Sequence, residues 1–326
     1  MDGRRIDGVA QVGARRGTSL VAIGNFDGVH RGHRAVIALA VERARALGLA
    51  PLVLTFHPHP HVVFGRGDPL VLTPLERKVE LLRRLDPALR VVVEPFTTEL
   101  AALSAERFVD EVLVSALGAG AVVVGPDFRF GRGRTGDFAR LAALGAARGF
   151  VAIAPPTAGD AAGPFSSTRA RQAIVAGDVV AAADVLGRPH GLTGRVARGD
   201  GRGRSLGTPT ANLTDLPEVL PADGVYAGLV DQVTEDGAAV RLALGVMNLG
   251  VRPTMGAGRS VEVHLLDLDR DLVGARLRVH LVARLREERR FPSREDLAAQ
   301  IARDVAAARA LLGGYAPDPD AGGAWR

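Results

Sequence analysis

Through residues 19–186 the apolar positions fall into two kinds of run. The stretches "SLVAIGNF", "PLVLTF", "RVVVEPF", "GAVVVG" and "FVAIAP" are short and continuously apolar, which predicts buried strands. Between them the spacing is helical. From His33 to Leu47 it sets Ile37, Ala40, Val41 and Ala44 at i, i+3, i+4 and i+7. "TPLERKVELLRRL" predicts a helix with Thr73 as N-cap and Pro74 at its first position. "SAERFVDEVLVSAL" predicts one opened by Ser104, with Arg107 where a capping box would place Glu or Gln. "SSTRARQAIVAGDVVAAADVLG" closes this half as a helical segment. Unbroken apolar strands alternating with helices predict an α/β unit whose parallel sheet is covered on both faces.

After Gly187 the period becomes two. Val240, Leu242, Leu244 and Val246 alternate with Arg241, Ala243 and Gly245. Val261, Val263 and Leu265 alternate with Glu262, His264 and Leu266, and a third such run spans Leu277 to Leu285. Half-buried antiparallel strands follow, in a barrel or a sandwich. Arg294 to Leu312 reads as a helix that Ser293 caps, and the remainder as a loose tail. The boundary is placed at Arg188, giving domains of residues 1–187 and 188–326.

Composition narrows the chemistry. A chain of 326 residues, 47% of them apolar, is long enough for two cores. It has no cysteine, so disulfides, zinc–thiolate sites and cysteine nucleophiles are excluded. No signal-peptide apolar region opens it, and no apolar run reaches the roughly 18 residues of a membrane span. A cytoplasmic protein with no membrane partner is expected. The net charge of +5 comes almost wholly from arginines, Lys78 being the only lysine. They lie among acids, as in "RLREERRFPSRED", and aromatics make up 4%, so no nucleic-acid partner is expected. Arginine also suits phosphate ligands. Self-association is left open.

Two stretches carry candidate chemistry. "GNFDGVHRGH" (24–33) follows the first strand of the open sheet, where such folds bind ligands. Its glycines let backbone approach a ligand, and its last residues open a helix whose N–H groups attract phosphate. His30 and His33 share one face of that turn and can donate to phosphate oxygens. The motif lacks the lysine of a Walker loop and the spacing of GxGxxG. "GRVARGDGRGRSLGTPTANL" (194–213) is a glycine/arginine stretch suited to wrapping a phosphate chain, although an ordinary flexible loop would read the same way. Its Thr210 and Asn212 offer neutral oxygens of the kind Mg²⁺ accepts. His57, His59 and His61 alternate as metal ligands on a strand could, but Pro58 and Pro60 interrupt them. Glu262 lies on the face opposite Val261, Val263 and Leu265 and so need not be buried in the barrel, although a solvated surface glutamate would read the same way.

With "LTFHPHP" (54–60), "VVVGPDFRFG" (122–131) and "SSTRAR" (166–171), the first stretch resembles the HxGH nucleotidyltransferase signature of bacterial bifunctional riboflavin kinase/FMN adenylyltransferases. The second stretch, with "GVMNLGVRPT" (245–254), "SVEVHLLD" (260–267) and "RRFPSREDLAAQIARDVAAAR", resembles the flavokinase half of that family. The resemblance implies a Rossmann-like nucleotidyltransferase domain followed by an antiparallel riboflavin kinase β-barrel with a C-terminal helix. It implies that riboflavin and ATP give FMN, that FMN and ATP give FAD, and that both steps use Mg²⁺. His30 and His33 would bind ATP phosphates in adenylyl transfer, with nucleotide contacts from Gly24, Phe26, Asp27, Gly28, Ser167, Thr168 and Arg171. Asp127, Phe128, Pro58 and His59 would meet the flavin there. In the kinase half Gly194, Arg204 and Gly207 would meet nucleotide, Asn248 and Arg252 flavin, Thr210 and Asn212 the metal, and Glu262 would be the catalytic base. FMN already carries an anionic phosphate and needs no base to attack, whereas the riboflavin hydroxyl must lose a proton. Many members have Asn at Asp127 and a basic residue at Pro164. The alternatives are a kinase with an inactive adenylyltransferase half, and a non-enzymatic flavin or nucleotide binder.

Overall fold

The computed structural model describes residues 4–65, 71–198, 209–235, 237–251, 259–315, 317–318 and 324–325. They form two compact units, one of Met1–Pro69 with Leu75–Phe165, the other of Leu70–Pro74 with Ser166–Arg326.

The first unit is built on a parallel sheet of β1 (Arg5–Asp7), β2 (Ser19–Ile23), β3 (Ala50–His57), β4 (Arg90–Pro95), β5 (Ala119–Val124) and β6 (Val151–Ile153), in the order β1-β4-β3-β2-β5-β6. β2 is buried at every position, as a central strand covered on both faces must be. The chain winds outward from β2 through β3 to β4, then returns to the other side of β2 with β5. That reversal sets a topological switch point at the carboxyl ends of β2 and β5, where the segments 24–33 and 125–131 begin. Helix α1 (Arg31–Leu47) buries Ile37, Ala40, Val41 and Ala44, the stripe its spacing predicts, and stops at Gly48 in the left-handed conformation (φ 66°).

Three elements depart from expectation. Helix α3 (Leu75–Arg83) starts after Pro74, because residues 70–74 belong to the second unit, where Val71 bridges to Glu218. Ser104 caps its helix as predicted, its Oγ accepting from Arg107 N at 3.2 Å. After one α turn, however, Phe108–Ala116 is π-helical. Helix Phe138–Arg148, capped by Asp137 and ended by Gly149, was not predicted.

In the second unit the helical segment after Phe165 is two helices, α7 (Ser167–Val175) and α8 (Val179–Leu186). Gly177 (φ 81°) breaks it, and Asp178 caps the second helix. A Cβ at Gly177 would lie 3.1 Å from Tyr226 Oη. The period-two strands close into an antiparallel barrel, which settles barrel against sandwich. Strands β9 (His190–Ala197), β10 (Thr210–Thr214), β11 (Gly224–Val233), β12 (Ala239–Val251), β13 (Arg259–Leu265) and β14 (Arg276–Arg286) run β10-β13-β12-β11-β14-β9. Tyr226, Met247, Leu249, Val263, Leu277 and Val279 fill the interior. The C-terminal helix α9 (Arg294–Leu312) lays Ala308 and Leu312 on Ala227 and Leu229 of β11's outer face. Within the expected loose tail, Pro317–Asp318 pairs antiparallel with Ala324–Trp325.

Candidate active sites

The loop after β2 is tightly constrained. Phe26 (φ 50°) and Val29 (φ 40°) hold left-handed backbone that side chains disfavour, with Gly28 (φ 88°) between them. Phe26 turns back over Gly24, leaving 3.0 Å between its ring and the place of a Cβ. It meets the His33 ring edge-on at 5.2 Å. His30 is the N-cap of α1 and is 5% exposed, its Nδ1 accepting from His33 N at 3.3 Å. The His30 and His33 rings stack with centroids 3.5 Å apart. Gly32 has no alternative, since a Cβ there would meet Phe165 O at 2.9 Å and the His30 ring at 3.0 Å. Arg31 lies over the Phe165 ring at 4.3 Å. Asp27 is buried. The two imidazoles thus sit at the N-terminus of α1, at the switch point where open α/β sheets can place a ligand.

Around this loop, His59 caps the short helix Pro60–Val63, and its ring meets His61 edge-on at 5.0 Å. Burial, then the Lys78 charge, push the His57 pKa down. No group of three or more His, Asp or Glu among the described residues could hold a metal ion. Asp127 is exposed, and Phe128 is half-buried and stacked on Phe130 at 5.5 Å. Phe130 itself is a core residue, packed so closely that Gly136 could not carry a Cβ. In the second unit Ser166 caps α7, its Oγ accepting from Arg169 N at 3.1 Å, so Ser167 is the first helical residue. Thr168, Arg171, Gln172 and Val175 form one stripe along an open groove on that helix.

The barrel's outer face carries the second site. In register, Asn212 of β10 faces Glu262 of β13, and Glu262 faces Asn248 of β12. One pair along, Thr210 faces His264, and His264 faces Val246. The alternate residues Ala211, Val261, Val263, Met247 and Leu249 point inward to the core, so period two itself turns this polar row outward. A cleft of about 370 Å³ opens over it, with Thr210, Asn248 and Glu262 on the strand side and Phe291, Leu297 and Ile301 among its apolar wall. His264 Nδ1 bonds Pro209 O at 2.9 Å, fixing the approach to Thr210. Arg286 holds α9 over the cleft through Asp304, with Nε at 3.0 and 3.2 Å from the two carboxylate oxygens. Gln300 donates to the same carboxylate at 2.7 Å. The sequence reading missed Arg286, Phe291 and Asp304, though all three lie in quoted stretches.

Gly194 is buried in β9, and a Cβ there would fall 2.6 Å from Thr214 O. Arg204, Gly207 and Arg252 lie outside the described residues.

The chain matches the FAD synthetase family model over residues 14–169 and the riboflavin kinase model over residues 186–312. It is 40% identical over 296 residues to the bifunctional riboflavin kinase/FMN adenylyltransferase of Escherichia coli, covering 90% of this chain and 93% of that one. To the enzyme of the same name from Pseudomonas fluorescens it is 43% identical over 294 residues, 90% and 92% of the two chains. A solved structure described as a macrolide-efflux protein from Streptococcus pneumoniae superposes with a TM-score of 0.81 at 29% identity, covering 94% of this chain and 98% of that one. Among the described residues no helix is long and apolar enough to cross a membrane. With both family models present and relatives matched along nine-tenths of its length, the chain belongs to the bifunctional riboflavin kinase/FMN adenylyltransferase family.

Proposed function

We propose that the barrel cleft phosphorylates riboflavin to FMN and that the His30–His33 loop adenylylates FMN to FAD. The observation that carries the kinase assignment is the row Asn212–Glu262–Asn248 across β10, β13 and β12, of which Glu262 and Asn248 line the cleft. The apolar wall suits an isoalloxazine ring, and Glu262 is placed to take the proton of the riboflavin 5′-hydroxyl as its oxygen attacks the γ-phosphorus of ATP, with ADP leaving. Asn248 and Arg252 are assigned to the flavin, and Gly194, Arg204 and Gly207 to the nucleotide. Thr210 and Asn212 present hard neutral oxygens on the Glu262 side of the barrel, a donor set that fits Mg²⁺ shared with phosphates. The ion would offset phosphate charge.

In adenylyl transfer the FMN phosphate attacks the α-phosphorus of ATP and pyrophosphate leaves, with no proton to remove. The work left to the protein is placement and charge stabilisation. The stacked pair His30 and His33 and the N-terminus of α1 supply it, with Gly24, Phe26, Asp27 and Gly28 shaping the loop. The roles of Ser167, Thr168 and Arg171, and of Asp127, Phe128, Pro58 and His59 toward the flavin, rest on their motifs. We divide the domains at 187/188 and place the chain in the cytoplasm, without nucleic-acid or membrane partners.

The test is a time course with riboflavin, ATP and Mg²⁺, with flavins separated by chromatography. FMN should rise first and FAD follow. FMN without FAD, even when FMN is supplied, would leave a kinase alone. No turnover would leave a binding protein.

A further inference from the structure

The loop that carries His30 and His33 is held from beneath by a residue outside every motif. Lys78, on α3, is 7% exposed. Its Nζ donates to Asn25 O at 3.1 Å and to Phe56 O at 3.2 Å. Asn25 opens the loop after β2, and Phe56 precedes the His57-Pro58-His59 segment at the end of β3. Thr55 Oγ1 donates to the same Asn25 oxygen at 3.0 Å. One ammonium therefore ties together the two chain segments that leave adjacent strands at the ligand end of the sheet.

This placement opposes stability. Burial pushes the Lys78 pKa down to about 8, while the Asp27 carboxylate pulls the other way. His57 at the end of β3 feels the Lys78 charge, together with those of Glu76 and Arg5. An apolar side chain of the same length would fill the space without desolvating a charge. What the ammonium supplies is a hold on a loop whose backbone is strained at Phe26 and Val29. It also sets a positive charge behind a loop that receives phosphate.

We propose that Lys78 is a positioning residue for adenylyl transfer, clamping the Asn25 and Phe56 carbonyls so that Phe26 and the stacked pair His30 and His33 stay in place for ATP. The proposal rests on the assignment of that loop to FAD formation. The full-length wild type, Lys78→Met and Lys78→Arg are assayed for FAD formation from FMN and, in the same preparations, for FMN formation from riboflavin. The second reaction reports folding, since Lys78 belongs to the first unit and the barrel to the second. Lys78→Met is expected to lower kcat for FAD formation about 100-fold, the scale of a displaced reacting group, with FMN formation unchanged.

The pH profile separates positioning from folding. Wild-type kcat/KM for FAD formation should fall as pH rises through about 8, as that parameter reports the free enzyme. Lys78→Arg should keep a charged clamp and show no fall there. Because the folded pKa lies below its ordinary 10.5, stability rises rather than falls between about 8 and 10.5, so lost activity in that window is not unfolding. Wild-type rates in Lys78→Met, or the same alkaline fall in Lys78→Arg as in wild type, would overturn the proposal. If Lys78→Met loses both reactions, the Lys78→Arg profile decides. No FAD from any of the three chains would instead reject the loop's assignment.

Discussion

Glu262 stands directly across the β10–β13 ladder from Asn212. One strand further, Asn248 stands across from Glu262. This carboxylate, flanked by two amides on a barrel wall, lines the cleft. The removal of that carboxylate is therefore the sharpest perturbation of the kinase step.

Glu262→Gln keeps the shape and removes the carboxylate assigned as the base. Phosphorylation of riboflavin is expected to fall about 100-fold or more, the usual contribution of a positioned general base. FAD formation from supplied FMN should be unaffected. Steady-state rates of both reactions check this.

At the other site, His33→Ala removes one of the two imidazoles assigned to ATP and leaves His30 as the cap. FAD formation should drop about 100-fold while riboflavin phosphorylation continues. Gly32→Ala is expected to act the same way by another route. Its Cβ would lie 2.9 Å from Phe165 O and 3.0 Å from the His30 ring, so it displaces the imidazole. Both are read by FAD product and by FMN binding to the chain.

The least exposed ion pair holding the helix over the cleft joins it to β14. Arg286 Nη2 lies 2.9 Å from Asp304 Oδ2, with side-chain exposures of 18% and 7%. Asp304→Asn leaves the guanidinium without its partner. We expect a stability loss of about 2 kcal/mol, less than for a fully buried pair, together with a raised KM for riboflavin. Denaturant unfolding and kinase kinetics measure the two effects.

Glu218 gives a pH signature in stability. It is 1% exposed, one carboxylate oxygen accepts from Thr193 N at 3.0 Å, and the other is buried without a partner. Burial pushes its pKa up to about 7 from 4.5. A raised pKa means that its stabilising proton is fully present below pH 4.5 and lost as pH rises through about 7. Glu218→Gln, an isostere of the protonated acid, should gain on wild type by about 2 kcal/mol between pH 5 and pH 8. His190, pushed down to about 4 by burial, has the opposite slope in the acid range in both chains. Thermal melts at the two pH values check this.

The parts legible in the sequence are those whose periodicity is simple. The α1 stripe, the buried strands and the outward position of Glu262 all follow from spacing. Strand β11 did not, because it is buried on both faces, its outer face lying under α9. An antiparallel strand covered twice has no alternation to read. Helix Phe138–Arg148 carried clear signals at Asp137 and Gly149, but its alanine-rich face buries few large side chains. Lys78 was hidden for a different reason. A lysine on an amphipathic helix reads as solvent-facing, and only the fold brings the Asn25 and Phe56 carbonyls to it. Arg286 and Asp304 meet only once α9 docks back on β14.

The central claim is that one chain holds two independent flavin-transforming sites. The most direct test mixes Glu262→Gln with His33→Ala and supplies riboflavin and ATP. Neither variant alone should convert riboflavin to FAD, whereas the mixture should, because FMN released by the second chain is adenylylated by the first. A mixture that makes no FAD, or a Glu262→Gln chain that still makes FMN from riboflavin at the wild-type rate, would contradict the account.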